Sequence, residues 1–183
     1  MSPLRIFVVQ EHHATKLHWD FRLEIDGILK SWAVPKGPSM DPAQKRLAIQ
    51  VPDHEMEHAN YEGIIPEGTY GAGPVLIWDK GSFESIGDEP PASSLAKGNL
   101  KFELHGGILK GAFALAKVHG RGREKHWLLI KKEDQYAHKG WQTPALLTQA
   151  RIGTLKEKMP ACAVKERHEV RTAQSPLRIS LGR

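Results

Sequence analysis

One cysteine, Cys162, occurs in 183 residues, which excludes an internal disulfide and any zinc site built from several thiolates. Metal binding would have to rest on histidine and carboxylate. Long apolar runs are missing too: AVP, VLIW and WLLI are strand-sized, far below the roughly 20 residues of a membrane-spanning helix. The N-terminal MSPLRIFVV lacks the apolar stretch of a signal peptide. A soluble, cytoplasmic protein with no membrane partner is therefore expected. The body also lacks a basic bias. The net charge is +5, and residues 151–183 hold eight Lys or Arg against three Glu, which leaves eighteen of each sign in residues 1–150. If the body binds nucleic acid, a local pocket must do it. The expected organisation is one domain over residues 5–150 and a basic, flexible extension over 151–183 that adds attraction to a polyanion.

The stretch EHHATKLHWDFR, from Glu11 to Arg22, carries most of the chemistry. From Leu17 to Leu23 apolar and polar side chains alternate strictly, so a strand would place Leu17, Trp19, Phe21 and Leu23 on one face and His18, Asp20 and Arg22 on the other. His18 and Asp20, with His12 reaching in from a turn before the strand, suit a divalent metal. Arg22 lies one pleat further on, where its planar fork suits a phosphate or carboxylate beside the metal. His13 points the other way and reads as a surface histidine.

Asp26-Gly27 signals a two-residue hairpin into the strand ILKSWAV, and a third strand, RLAIQV, begins at Arg46. Lys36 and Arg46 flank the intervening Pro-Gly-Ser turn. His54 and His58 are spaced as on one helical turn. Gly63, Gly68, Gly71 and Gly73, around Pro66 and Tyr70, mark a structured turn that is neither a Walker loop nor a dinucleotide fingerprint. PVLIWDKG, SFES, NLKFELHG, ILKGAFALAKV and HWLLIKK read as further strands. EPPASSLAKG can form a short helix ending at Gly98, and Thr143-Pro144 reads as the start of a second, PALLTQARI, stopped at Gly153. About eight strands without a βαβ rhythm make the chain mainly β, as an antiparallel barrel or sandwich with two short helices.

The run Gln10-x-His12, His18-x-Asp20-x-Arg22, followed by WAVPKGPS, RLAIQVPDH, EGIIPEGTYGAGPVLIWDKG and WLLIKK, resembles the 3′-phosphoesterase domain of DNA ligase D. The similarity runs from about residue 5 to 140, with the segments in the family's order. It implies a compact antiparallel β-barrel flanked by two short helices. It also implies a manganese-dependent enzyme (another divalent metal would serve the same ligands) that removes a terminal ribonucleoside and a 3′-phosphate from DNA 3′ ends. By motif position His12, His18 and Asp20 are metal ligands. Arg22, Lys36, Arg46, His54 and Gln10 are placed around the phosphate, with Arg22, His54 and His58 as the catalytic set. Pro52 and His58 depart from the family, which usually carries glutamate and tyrosine there. The chain shows no polymerase or ligase module, so a ligase or polymerase partner would act in trans.

Two other readings remain. One is a nucleic-acid-binding module of the same fold with weak or no turnover, for which Pro52 and His58 give a motive. The other is an iron(II) oxygenase using His18, Asp20 and His54 as a two-His-one-carboxylate triad, a reading with no use for His12.

Overall fold

The computed structural model describes residues 4–160. Nine strands follow one another: β1 Arg5–His13, β2 Leu17–Ile25, β3 Ile28–Val34, β4 Arg46–His54, β5 Gly63–Ile65, β6 Gly73–Ser85, β7 Asn99–His105, β8 Lys110–Lys117 and β9 His126–Lys131. They hydrogen-bond in the order β1-β2-β3-β4-β9-β8-β7-β6-β5, every pair antiparallel, and β1 also pairs with β6. That last pairing closes eight strands into a barrel and leaves β5 attached to the outside of β6. Closure removes the open edges that an antiparallel sheet would otherwise present.

The interior is filled by the apolar halves of the alternating strands, including Phe7, Val9, Trp19, Phe21, Leu23, Trp32, Phe83, Phe102, Phe113 and Leu129. Trp19, Phe21 and Leu23 enter this core as their alternation predicts, whereas Leu17, at the mouth of the barrel, is exposed. The hairpin forms at Asp26-Gly27, both residues at positive φ (55° and 77°), the conformation that a two-residue turn matching strand twist requires.

The outer wall of β1–β3 is not bare. A single 3-10 turn, Met56–Asn60, lies over it, and Val8, Leu29 and Ala59 form a second small apolar cluster with Ile6, Met56 and Ile77. β1 is thus buried on both faces. For that reason RIFVVQEHH does not alternate, and His12 belongs to this strand, directly opposite His18, and not to a turn before β2.

Three further differences have local causes. PVLIWDKG and SFES are one 13-residue strand, β6, because it spans β5, β1 and β7 in turn, with an irregularity opposite Val9/Gln10. The first helix, α1, forms over Pro91–Ala96, with Gly98 at φ 81° behind it. The second, α2, covers only Gln149–Ile152 and is capped by Thr148, whose side chain accepts from the Arg151 amide. It does not start at Pro144, because the Leu146 and Leu147 amides are taken by the buried carboxylate of Glu11, at 2.6 and 3.1 Å.

Residues 151–160, expected in the flexible extension, are docked. Ile64 exchanges backbone bonds with Lys156 and Lys158, the Tyr61 hydroxyl donates to the Lys158 carbonyl (2.7 Å), and Arg151 pairs with Glu62 (2.8 Å). The rest of that extension, with Cys162, lies outside the described residues. No helix among the described residues is long and apolar enough to cross a membrane.

Candidate active site

Strand pairing assembles the site on the outer wall of the barrel. Gln10 faces Asp20 and His12 faces His18 across β1 and β2, and Ser31 faces Arg22 across β2 and β3. Nitrogen and carboxylate oxygen atoms of His12, His18 and Asp20 all lie within 4.8 Å of one another, a group that could hold a metal ion. His12 Nδ1 is 3.4 Å from Asp20 Oδ2, and His18 Nε2 is 3.5 Å from Asp20 Oδ1.

The remaining ring nitrogens decide what these atoms offer. His12 Nε2 lies 2.7 Å from the Gly71 carbonyl and His18 Nδ1 lies 3.0 Å from the Lys16 carbonyl. A carbonyl only accepts, so each of those nitrogens carries the proton in a neutral ring. The lone pairs then sit on His12 Nδ1 and His18 Nε2, both turned toward Asp20. Backbone carbonyls that fix the tautomer of a metal-binding histidine are a recurrent feature of metal centres. Two lone pairs and a carboxylate converging on one space are what a divalent cation accommodates.

The electrostatics agree. Burial would raise the Asp20 pKa, but the Arg22 charge and the bonds from His12 and His18 outweigh it, and the carboxyl stays ionised well below its ordinary range. Burial would lower the His18 pKa, yet its bond and attraction to Asp20 leave it raised above 6.5. The cluster favours added positive charge.

Arg22 is almost fully buried and forms the centre of a second group. Its Nε donates to Gln10 Oε1 (2.8 Å) and its Nη1 to Ser31 Oγ (2.9 Å). Nη2 reaches Asp20 Oδ2 at 3.3 Å and His58 Nε2 at 3.3 Å. Gln10 is fully buried, and its Nε2 donates to the carbonyls of His58 and Tyr61 (2.9 and 3.1 Å). Its amide joins Arg22 to the 3-10 segment and so supports the arginine.

His54 and His58 do come together, ring centroids 4.5 Å apart, although one ends β4 and the other sits in the 3-10 turn. Burial, and then the neighbouring Arg22 charge, push His54 down to about 4 and His58 to about 3, so both are neutral at pH 7. His54 Nδ1 lies 2.8 Å from the Pro52 carbonyl and 3.1 Å from Arg22 Nη1. One nitrogen cannot serve both, and the shorter contact puts its proton toward Pro52, leaving Nε2 as an acceptor. His58 stacks on Tyr61 at 5.4 Å and 8°.

Lys36 and Arg46 flank the turn between β3 and β4. They line a groove with Pro35, Gln44 and Lys45, and Arg46 Nη2 donates to Gln44 Oε1 (2.7 Å) while its Nε is buried with no hydrogen-bond partner among the described residues. His13 is half-buried and bonds the hidden Glu11 carboxylate at 2.5 Å, so it is part of the support for β1 and not a solvated surface group. Sequence reasoning missed Gly71 and Ser31. A backbone carbonyl and a lone serine hydroxyl leave little trace, apart from the density of glycines around Gly71.

A closed antiparallel barrel whose outer wall carries two histidines and a carboxylate that could hold a metal ion, beside a buried arginine, defines the class of this β-barrel protein. The chain belongs to the DNA ligase D 3′-phosphoesterase domain family, whose family model matches residues 10–117. It is 52% identical over 128 residues to the multifunctional non-homologous end joining protein LigD of Pseudomonas aeruginosa, covering 70% of this chain and 15% of that protein. It is 41% identical over 152 residues to the multifunctional non-homologous end joining DNA repair protein LigD of Mycobacterium tuberculosis, covering 82% of this chain and 19% of that protein. The chain spans less than a fifth of the length of these relatives.

Proposed function

We propose that this protein is a divalent-metal-dependent phosphoesterase that heals DNA 3′ ends, removing a terminal ribonucleoside and then the 3′-phosphate to leave a hydroxyl. The observation that carries the reading is the pair of carbonyl contacts, Gly71 to His12 and Lys16 to His18, which turn two lone pairs toward the ionised Asp20. His12, His18 and Asp20 would hold the ion, manganese in this reading. When bound, it supplies Lewis-acid polarisation of a phosphoryl oxygen.

The protein's own part is positioning and charge. Arg22, held by Gln10 and Ser31, presents a fixed guanidinium next to Asp20 and neutralises charge on the non-bridging oxygens as the transition state develops. His54 is neutral, with Nε2 open to accept a proton or hydrogen bond from the attacking water or from a protonated phosphate oxygen. An approaching phosphate dianion would raise the His54 pKa and let the same nitrogen return that proton to the leaving oxygen. His58 stands beside it as the second neutral imidazole, and the groove of Lys36 and Arg46 would take up further phosphate charge.

Pro52 does not remove the support of His54, because its main-chain carbonyl accepts the Nδ1 proton whatever side chain stands there. That favours an active enzyme over a binding module without turnover. The oxygenase reading needs His54 with His18 and Asp20, whereas His12 is the histidine gathered with them. The relatives are named for non-homologous end joining, and in this reading a separate ligase or polymerase acts on the healed end. The test is incubation with manganese and two labelled primer-templates, one ending in a 3′-phosphate and one in a 3′-ribonucleotide. Conversion of both to a 3′-hydroxyl supports the reading, and stable binding without conversion refutes it.

A further inference from the structure

We propose that Tyr70 is a stacking platform for the nucleobase of the nucleotide whose 3′-phosphate enters the metal site. The inference rests on the proposed reaction and adds a base contact to it.

Tyr70 is 98% exposed, the most exposed large apolar side chain among the described residues. An aromatic ring standing wholly in water contributes nothing to the core. It is also not carried on a loose tip. Thr69 N and Ala72 N donate to the Pro66 and Thr69 carbonyls (3.2 and 3.0 Å), and Thr69 Oγ1 contacts Met159 of the docked segment. The next residue, Gly71, gives its carbonyl to His12, and a Cβ on Gly71 would lie 3.2 Å from the His12 ring. One chain step, about 3.8 Å between Cα atoms, therefore separates Tyr70 from a residue packed on a metal ligand.

That placement fits a nucleotide. A phosphate at the cluster carries its sugar and base within one nucleotide's reach, and the fully solvated ring offers a flat apolar face there. Gly73 packs against the His13 carbonyl, so this loop adjoins the β1–β2 turn, where exposed Leu17 precedes His18 and adds apolar surface at the same end. Every base has a π-face, so such a platform tolerates any sequence, as an enzyme of broken ends requires. The polar groups already described, Arg22 and His54, address phosphate; Tyr70 addresses the base.

The test is a double-mutant cycle between the ring and the base. Binding of a fluorescent oligonucleotide ending in a 3′-phosphate is measured by anisotropy in EDTA, so turnover does not enter. Wild type is compared with Tyr70→Ala and Tyr70→Trp, each with a normal and an abasic terminal nucleotide. For the normal end, Tyr70→Ala should weaken binding by about 5- to 150-fold, the range of one base–aromatic stack, and Tyr70→Trp should retain it. For the abasic end, wild type and Tyr70→Ala should bind alike. Equal losses on removing the base from wild type and Tyr70→Ala would overturn the proposal, as would failure of wild type to bind the normal end. Phosphate release by wild type with manganese, followed separately, reports on the reaction itself. Absence of release with intact ring–base coupling would sink the proposed reaction and leave the platform standing.

Discussion

The Gly71 carbonyl lies 2.7 Å from His12 Nε2, and the Gly71 Cα hydrogens face the same imidazole, with room for a Cβ only 3.2 Å from its Cε1. A loop glycine thus sets both the tautomer and the tilt of a candidate metal ligand.

Gly71→Ala should therefore damage the metal site without unfolding the barrel. The residue sits at φ 74°, where a side chain costs roughly 1–2 kcal/mol, and the added methyl presses on His12. Manganese affinity by calorimetry should fall about 10–100-fold, the usual loss for a disturbed supporting contact. The unfolding transition should persist.

Arg22→Ala should abolish turnover and leave manganese binding nearly intact, because Arg22 touches Asp20 from outside the cluster and is not one of its three ligand groups. The buried Gln10 and Ser31 acceptors lose their donor, so stability should drop by about 1–3 kcal/mol. Arg22→Lys should rescue little, since a point charge cannot serve Gln10, Ser31 and a phosphate together. Parallel loss of metal affinity and rate in calorimetry and phosphate-release assays would contradict this division of roles.

The buried neutral histidines make stability acid-sensitive. His54 and His58 have folded pKa values depressed to about 4 and about 3, so between those values and 6.5 the unfolded chain binds more protons and stability falls as pH falls. The slope is up to about 1.4 kcal/mol per pH unit for each group. His18 acts in the opposite sense: its folded pKa is raised, so its contribution is complete below 6.5 and is lost only as pH rises through that raised value. Urea unfolding of metal-free protein from pH 7 to 4 should show the slope, and His58→Phe should make it shallower.

How much of this was legible depends on which faces of a strand are buried. β2 is buried on both faces too, but its outer face is polar, so Trp19, Phe21 and Leu23 against His18, Asp20 and Arg22 could be read directly. β1 is covered on both faces, and the same reading left His12 in a turn. His54 and His58 were correctly paired by spacing, though a strand end and a 3-10 turn bring them together. Glu11 explains the misplaced start of α2, since nothing in PALLTQARI announces that a distant carboxylate will take its first amides. Gly71 acts through its carbonyl, which every residue has.

The docked and distal parts of the basic extension should behave differently. Truncation after Pro160 removes five Lys or Arg and two Glu and should leave the thermal transition and the rate on a short substrate unchanged. It should weaken binding to longer DNA and flatten its salt dependence, because fewer counterions are released. Truncation after Ala150 also removes the bonds from residues 151–158 to Glu62, Ile64 and Tyr61, and should lower the unfolding temperature.

The most direct measurement is release of inorganic phosphate from a 3′-phosphate primer-template as manganese is titrated into metal-free protein, for wild type and His18→Ala. Wild type should show no release in EDTA and a rate that saturates with manganese, leaving an end that a polymerase extends. His18→Ala should need at least 10-fold more manganese, or release none, while keeping its unfolding transition. Release in EDTA, or superimposable curves for the two proteins, would contradict the assignment of His12, His18 and Asp20 as the metal centre of a phosphoesterase.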